Sequence, residues 1–368
     1  MTLQGLARFA IIALVLAAAL AFAVIALWGD GAPAGTTRSS TPPKAIPLAV
    51  LGDSNSHSYQ DRVSFPLGSS ERGGTQRAQT FQWTEVLARL RGNEIDLGPW
   101  VRWGRPWPIA WARETIGLLP SRSPIKEDYL YNFAYSGAGC RHLMGERRGQ
   151  PFRQAPRLVA LMDKSPEQWR RGVVVINMGA NDWYPTLDLQ ASDPSAPQLR
   201  SVIDYCAQQI REAIDLIHAS HPSTRILLTG LGNEADDPEN FGKYRDATSM
   251  ANIRKALAGA NAELRKIAES DPRRIAYVDY DAWFMQRWGQ RGPGGEPDYK
   301  TVQLGPKLRV TNTAGDTLDN ALVNDHHGGT AFNAMWAQAI VQSLRESFGI
   351  PLTPISDEEL VRFVNAEP

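Results

Sequence analysis

The chain has 368 residues, 43% of them hydrophobic, which is enough apolar material for one large domain or two ordinary ones. Its 39 Lys and Arg residues balance 39 Asp and Glu residues, and no long basic run occurs. This balance argues against a general nucleic-acid-binding surface, and we expect no nucleic-acid partner.

The first predicted element is an uncharged apolar run at 9–28. As a helix it would span about 30 Å, roughly one bilayer core, whereas the apolar part of a cleaved signal peptide is about 7–15 residues long. We therefore expect residues 1–28 to anchor the chain in the cytoplasmic membrane, with cleavage after Ala34 as the alternative. Residues 29–45 are rich in Gly, Pro, Ser and Thr, which predicts a flexible linker. The numbers of positive charges before and after the apolar run are nearly equal, so they determine its orientation only weakly. We expect the chain that follows the linker to lie outside the cytoplasm, in the periplasm.

Strands and helices alternate in the rest of the chain. Strands are predicted at 47–52, 129–135, 172–179, 225–232 and 274–284, and helices at 80–92, 198–219, 245–269 and 330–347. Strands separated by helices imply parallel pairing with right-handed crossovers. The stretch between the first two predicted strands is longer than one crossover needs, so part of it is expected to cover a functional site.

Small and polar residues cluster beside these strands in four blocks, and the carboxyl ends of parallel strands share one edge of the sheet. The blocks are Gly52-Asp53-Ser54, Ser136-Gly137-Ala138-Gly139, Gly179-Ala180-Asn181-Asp182, and Asp325-His326-His327 before the last helix. The first three are therefore expected at one edge, and the fourth can reach it. Within the first block, Asp53 is expected to be structural, and nearby His57 to lie on the loop surface.

These residue types suit acyl transfer. A serine hydroxyl becomes a nucleophile when a base such as histidine removes its proton. The imidazole needs an acceptor to fix its tautomer, which Asp325 can offer. The charge that develops on the carbonyl oxygen needs fixed donors, for which the backbone N–H groups of Ser54 and Gly137 and the Asn181 side chain are candidates.

The four blocks, in this order from residue 48 to the C-terminal helix, resemble the SGNH, or GDSL-type, hydrolase family. The resemblance implies a three-layer α/β/α sandwich over 46–368, with a parallel five-stranded sheet in flavodoxin-like order. It also implies that Ser54 is the nucleophile and His327 the base, with Gly137 and Asn181 completing the oxyanion hole. A metal site at Asp325-His326-His327 is disfavoured because no further ligand cluster accompanies it, and we expect neither a metal nor a cofactor.

Two features depart from the family pattern. The usual "GDSL" reads "GDSN", and the usual Asp-x-x-His spacing is absent, since Asn324 lies three residues before His327. The orienting group is therefore Asp325 at altered spacing, Asn324, or a backbone carbonyl. His327 is preferred to His326 as the base because "HGGT" followed by a helix fits the family better.

The sequence thus predicts a membrane-tethered serine esterase that hydrolyses O-acyl esters, such as O-acetyl groups, on a cell-envelope polysaccharide. Its alternatives are a lipid esterase, a carbohydrate acyltransferase, or an inactive protein of the same fold in envelope polysaccharide assembly. Cys140 and Cys206 either form a disulfide or remain as two buried thiols, and the sequence leaves both possibilities open.

Overall fold

A computed structural model describes residues 45–106, 108–110, 124–145, 153–292 and 294–365. The predicted anchor at 1–28 and nearly all of the linker at 29–45 lie outside the described residues. Among the residues that are described, no helix is long and apolar enough to cross a membrane.

The strands of the described residues form one large sheet and two small ones. In chain order they are β1 (Ile46–Gly52), β2 (Ile95–Asp96), β3 (Trp100–Trp103), β4 (Lys126–Tyr129), β5 (Val173–Asn177), β6 (Arg225–Thr229), β7 (Ile275–Val278), β8 (Val302–Leu304), β9 (Leu308–Ala314) and β10 (Asn320–Leu322). The large sheet has the order β2-β1-β5-β6-β7, and all neighbouring strands pair in parallel. Numbered along the chain, its strands follow the order 2-1-3-4-5, which confirms the predicted flavodoxin-like sheet.

Helices follow most of these strands. Those whose bounds lie within the described residues are α1 (Trp83–Arg91), α2 (Arg141–Met144), α3 (Gln154–Met162), α4 (Pro166–Trp169), α5 (Ala180–Trp183), α6 (Leu187–Ser192), α7 (Pro197–Ser220), α8 (Ala247–Glu269), α9 (Tyr280–Trp288), α10 (Thr330–Phe348) and α11 (Asp357–Val364). The predicted helices correspond to α1, α7, α8 and α10.

The core lies on both faces of the sheet. Because side chains alternate along a strand, Leu48 and Val50 of β1 face one helical layer, while Ala49 and Leu51 face the other. The first layer contains α1, α9, α10 and α11, and the second contains α3, α7 and part of α8. This arrangement is the predicted α/β/α sandwich.

The second predicted strand, at 129–135, is only partly right. β2 occupies the sheet edge beside the start of β1, and it is only two residues long. Further along β1, the Val50 N–H donates to the Tyr131 carbonyl at 3.0 Å and the Phe133 N–H donates to the Val50 carbonyl at 2.8 Å. Two separate segments therefore share the edge that one strand was expected to fill.

The other differences lie late in the chain. The predicted strand at 274–284 ends at Val278, because the Asp279 side chain accepts the Ala282 N–H at 3.0 Å and caps α9. The sheet formed by β8, β9 and β10 was not predicted. β8 and β10 have three residues each, and all three strands are partly exposed, so they lack the apolar runs that marked the buried strands.

Candidate active site

The turn after β1 places Ser54 at the carboxyl edge of the sheet. The N–H groups of Ser56 and His57 both donate to the Asp53 carbonyl at 3.1 Å, and the Asn55 N–H donates to Asp53 Oδ1 at 2.9 Å. Asp53 is therefore bound within the turn, as expected of a structural residue. Ser54 is half-buried, and its hydroxyl has no hydrogen-bond partner among the described residues.

His57 is not the surface residue that was expected. Its side chain is buried, Nδ1 accepts the Ser136 N–H at 3.1 Å, and Nε2 lies 2.9 Å from Asp61 Oδ2. Because a backbone N–H can only donate, Nε2 carries the proton that Asp61 accepts. Burial lowers the pKa of His57, and the hydrogen bond to Asp61 only partly opposes this effect. His57 is therefore a neutral residue that holds the backbone next to Gly137.

The predicted oxyanion donors, Gly137 and Asn181, lie on loops that contact each other. Gly137 has a φ of 79°, and among the described residues outside its chain neighbours nothing lies within 4 Å of where a Cβ would stand. Its glycine is therefore required by the left-handed backbone and not by crowding. Asn181, in α5, donates Nδ2–H to the Ala138 carbonyl at 2.8 Å. The Asn181 side chain is exposed, and its second amide proton is available to a ligand.

The candidate base His327 is held through Nδ1. This atom lies 2.9 Å from the Asp325 carbonyl oxygen and 3.2 Å from Asp325 Oδ1. Asn324 is exposed and donates Nδ2–H to Asp316 at 2.7 Å. Of the three orienting groups left open by the sequence, the Asp325 carboxylate and carbonyl therefore contact the imidazole. His327 Nε2 has no hydrogen-bond partner in the part of the chain that the structure describes, so it can accept a proton.

The neighbouring His326 contacts a different set of groups. It adopts a left-handed φ of 63°, and its Nδ1 lies 2.6 Å from Asp237 Oδ1. His326 therefore faces the acidic loop after β6, whereas His327 faces Asp325.

Arg72 joins two of the predicted blocks, although the sequence analysis did not single it out. Its side chain is almost fully buried; Nη2 donates to Ser136 Oγ at 3.1 Å, and Nη1 contacts Asp325 Oδ2 and lies 2.7 Å from His327 Nδ1. The Arg72 backbone N–H also donates to Asp325 Oδ2 at 2.9 Å, and the guanidinium lies 4.6 Å from the centre of the Phe65 ring. No local motif surrounds Arg72, and the only sequence signal was the long stretch expected to cover the site.

Two aspartates beside these candidates have opposite pKa shifts. Burial alone raises the pKa of Asp325, but the hydrogen bond from His327 and the charge of Arg72 hold it well below its usual range. Burial raises the pKa of Asp53 to about 7, and Asp53 Oδ2 has no hydrogen-bond partner among the described residues. Asp325 is therefore ionised at neutral pH and can stabilise a cationic imidazole, whereas Asp53 is partly protonated.

Three of the four loops that carry the candidates contribute walls to one cavity of about 120 Å³, although Ser54, Asn181 and His327 themselves do not line it. Its walls include chain neighbours of Ser54, Asn181 and His327, namely Asn55, Ala180, His326 and Gly328. The Gly137 loop joins the same region through the hydrogen bonds of Ala138 with Asn181 and of Ser136 with Arg72. All four predicted blocks therefore meet at one edge of the sheet.

Cys140 and Cys206 form a disulfide between the Gly137 loop and α7. Asp182 lies beside it and accepts the Cys140 N–H at 2.8 Å. These three residues cluster closely, but two sulfurs paired in a disulfide do not offer the thiolates that a metal site needs. The disulfide instead fixes the loop that presents Gly137.

The carboxyl edge of this parallel sheet thus carries a serine, a histidine with an ionised partner, and amide donors. These are the catalytic groups that an ester hydrolase requires. Residues 98–304, more than half of the chain, match the family described as GDSL-like lipase/acylhydrolase. The chain belongs to this family of hydrolases that act on ester bonds. The match contains Gly137 and Asn181, whereas Ser54, Asp325 and His327 lie outside the matched residues, so their roles depend on the geometry above.

Several solved structures are similar to this chain, at low identity. The lipase Lip_vut3 from a goat rumen metagenome is 13% identical, with 81% of this chain and 97% of that chain covered and a TM-score of 0.40. Axe2, an acetylxylan esterase from Geobacillus stearothermophilus, is 15% identical, with coverages of 82% and 95% and a TM-score of 0.37. A family 3 carbohydrate esterase from Clostridium thermocellum is 13% identical, with coverages of 82% and 96% and a TM-score of 0.37. No curated protein matches the chain in sequence.

Proposed function

We propose that this chain is a serine esterase that hydrolyses O-acyl esters with the predicted set of residues, Ser54, Gly137, Asn181, Asp325 and His327. The observation that carries the proposal is the contact of His327 Nδ1 with Asp325. This contact occupies one ring nitrogen and leaves Nε2 to accept the proton of a serine hydroxyl.

In the proposed mechanism, Ser54 Oγ attacks the ester carbonyl carbon while His327 Nε2 takes the hydroxyl proton. The carbonyl oxygen becomes negative and accepts hydrogen bonds from the N–H groups of Ser54 and Gly137 and from the Asn181 amide. His327 then gives the proton to the leaving alcohol, which leaves an acyl-enzyme on Ser54. In the second half of the reaction, His327 takes a proton from water as the water attacks the acyl carbon, and it returns this proton to Ser54 Oγ as the acid is released. Asp325 stabilises the imidazolium in both halves of the reaction.

The proposed substrate is an O-acyl group, such as O-acetyl, on a cell-envelope carbohydrate, and the proposed location is the outer side of the cytoplasmic membrane. The apolar run at 9–28 supports a membrane tether. The disulfide between Cys140 and Cys206 supports an oxidising compartment such as the periplasm. The location is tested by expressing the full chain and a version in which a cleavable signal peptide replaces residues 1–28, then separating membranes from soluble periplasmic contents. We expect the full chain in the membranes and the second version in the soluble periplasmic contents.

The alternative hypothesis, that the chain is an inactive protein of the same fold, was supported mainly by the irregular spacing of Asp325 and His327. That support is weakened by the geometry, because Asp325 Oδ1 still reaches to 3.2 Å from His327 Nδ1. One intervening residue, His326 in a left-handed conformation, accompanies this shorter spacing.

The test of the proposed reaction is hydrolysis of p-nitrophenyl acetate by the purified full-length chain. We expect Ser54→Ala to reduce the rate to that of the buffer, and Ser347→Ala, a change at an exposed position of α10, to leave it unchanged. Equal rates for the wild type and Ser54→Ala would remove Ser54 from the mechanism.

A further inference from the structure

The cavity beside Ser54 has a buried acceptor that the protein does not use. Asn312, on β9, is 4% exposed and lines this cavity. Its Nδ2–H donates to the Asp236 carbonyl at 2.8 Å, but its Oδ1 has no partner among the described residues. A buried acceptor without a donor costs free energy, so a donor from a ligand would satisfy it.

Glu234 supplies a second polar group to the same cavity. Its carboxyl has no hydrogen-bond partner in the described part of the chain, and the residue lines the cavity. Burial, followed by the charges of Asp237 and Asp53, raises the pKa of Glu234 to about 8. At neutral pH the carboxyl is therefore mostly protonated, and it can both donate and accept hydrogen bonds. These properties suit a neutral hydroxyl better than a cation.

Another part of the cavity lining is aromatic. Tyr280, Phe332 and Trp336 line the cavity, and the Tyr280 and Trp336 rings pack edge to face with centroids 5.1 Å apart. Apolar and aromatic walls with a few convergent polar groups are typical of small-molecule sites. The volume of about 120 Å³ has room for several water molecules, each needing at least about 10–15 Å³. It suits one compact ring better than a long acyl chain.

We propose that this cavity is a carbohydrate subsite, in which hydroxyl groups of the acylated sugar bind Glu234 and Asn312 while the sugar ring packs against Trp336. The proposal rests on the proposed esterase function, because it takes the sugar to be the alcohol part of the ester. Asn55, the neighbour of Ser54, lines the same cavity, so a ring bound there lies beside the turn that carries the nucleophile.

The test compares two esters, methyl 6-O-acetyl-β-D-glucopyranoside and p-nitrophenyl acetate, on the full-length chain. We expect Glu234→Ala to lower the ratio of kcat/KM for the sugar ester to kcat/KM for p-nitrophenyl acetate by roughly tenfold, the size of one lost hydrogen bond to such a group. Asn312→Leu should lower the same ratio. The matched control is Glu167→Ala, which removes an exposed carboxylate elsewhere on the surface and should leave the ratio unchanged.

Binding of the unacylated sugar separates this proposal from the proposed function. Ser54→Ala protein should still bind methyl β-D-glucopyranoside, and Glu234→Ala in that background should weaken the binding. An unchanged ratio and unchanged binding in the Glu234 variant would overturn the subsite. Stronger binding of choline than of the glucoside would also overturn it, in favour of a cationic ligand. Failure of the esterase proposal has a different signature, namely equal p-nitrophenyl acetate rates for the wild type and Ser54→Ala.

Discussion

Arg72 Nη1 lies 2.7 Å from His327 Nδ1, and the same guanidinium contacts Asp325 and Ser136. A guanidinium can only donate, so the contact with Nδ1 is a hydrogen bond only when Nδ1 has no proton. When Nδ1 instead donates to Asp325, Nε2 becomes the acceptor that a general base requires. Arg72 therefore contacts Nδ1, the atom whose protonation distinguishes the two tautomers of His327. It also holds the Asp325 carboxylate, which favours the active tautomer with the proton on Nδ1.

Replacing Arg72 tests this positioning role. We expect Arg72→Ala to lower kcat about tenfold with little change in KM, because Asp325 and Ser136 lose a shared donor while the substrate loses none. Arg72→Lys should recover part of the loss, since one ammonium can hold Asp325 but not Ser136 at the same time. Steady-state kinetics on p-nitrophenyl acetate measures both. Arg170→Ala, an exposed arginine, is the control. A change in KM alone would mean that Arg72 contacts substrate instead of positioning His327.

The adjacent pair Asn324 and Asp325 tests which group orients the base. Asp325→Asn should lower kcat about 10- to 100-fold, no more than the lower limit of the roughly 10²- to 10⁴-fold contribution of general acid–base catalysis, because the Asp325 carbonyl still accepts from Nδ1. Asn324→Ala should have little effect on kcat, since Asn324 bonds to Asp316 and not to His327. Kinetics of the two variants, made in parallel, gives the answer. The opposite order of effects would identify Asn324 as the orienting residue.

Asp53 predicts a pH dependence of stability. Its pKa is about 7 in the folded chain and about 4 in an unfolded chain. Between these values the folded state keeps a proton that the unfolded state has lost, so Asp53 contributes stability at low pH that is lost as the pH rises toward 7. The slope is at most about 1.4 kcal/mol per pH unit for one proton.

Asp53→Asn should therefore flatten the curve of unfolding free energy against pH between about 4 and 7. The amide oxygen can still accept the Asn55 N–H, so the turn is retained. Urea unfolding at several pH values, compared between the wild type and this variant, isolates the contribution of Asp53 from other buried carboxyls such as Glu85. Parallel curves would show that Asp53 does not hold a proton in the folded state.

Reducing the disulfide should destabilise the chain. Cys140 and Cys206 are separated by 66 positions, and closing a loop of that length stabilises a protein by about 4 kcal/mol in the chain-entropy view. We expect dithiothreitol to lower the unfolding free energy of the wild type by an amount of this order. A Cys140→Ser/Cys206→Ser double variant should start at the lower value and show no response to the reductant. A wild type that is equally stable with and without reductant would contradict this contribution.

Buried strands and their polar ends could be predicted because each has a local signal. The apolar runs at 47–52 and 172–179 correspond to β1 and β5. Strands buried on both faces consist of nearly continuous apolar residues, which are easily recognised in a sequence. The helix predicted at 245–269 corresponds to α8, which begins where the Asp246 side chain accepts the Ser249 N–H at 2.8 Å.

Features that depend on long-range contacts could not be predicted in this way. Arg72 contacts Asp325 across 253 positions, and nothing in the neighbouring sequence records that partner. His57 looked like loop surface because its acceptors and donors, Asp61 and Ser136, come together only in the folded chain. The edge strand was misplaced because β2 is two residues long and has no periodicity to detect.

The central claim is that Ser54 is a nucleophile activated by His327, and covalent labelling measures it most directly. The full-length chain is treated with a fluorophosphonate, digested, and mapped by mass spectrometry. We predict one adduct, on Ser54, with labelling that is lost in His327→Ala and retained in His326→Ala. An adduct on Ser56, Ser58 or Ser136 instead, or labelling of Ser54 that persists without His327, would contradict the account.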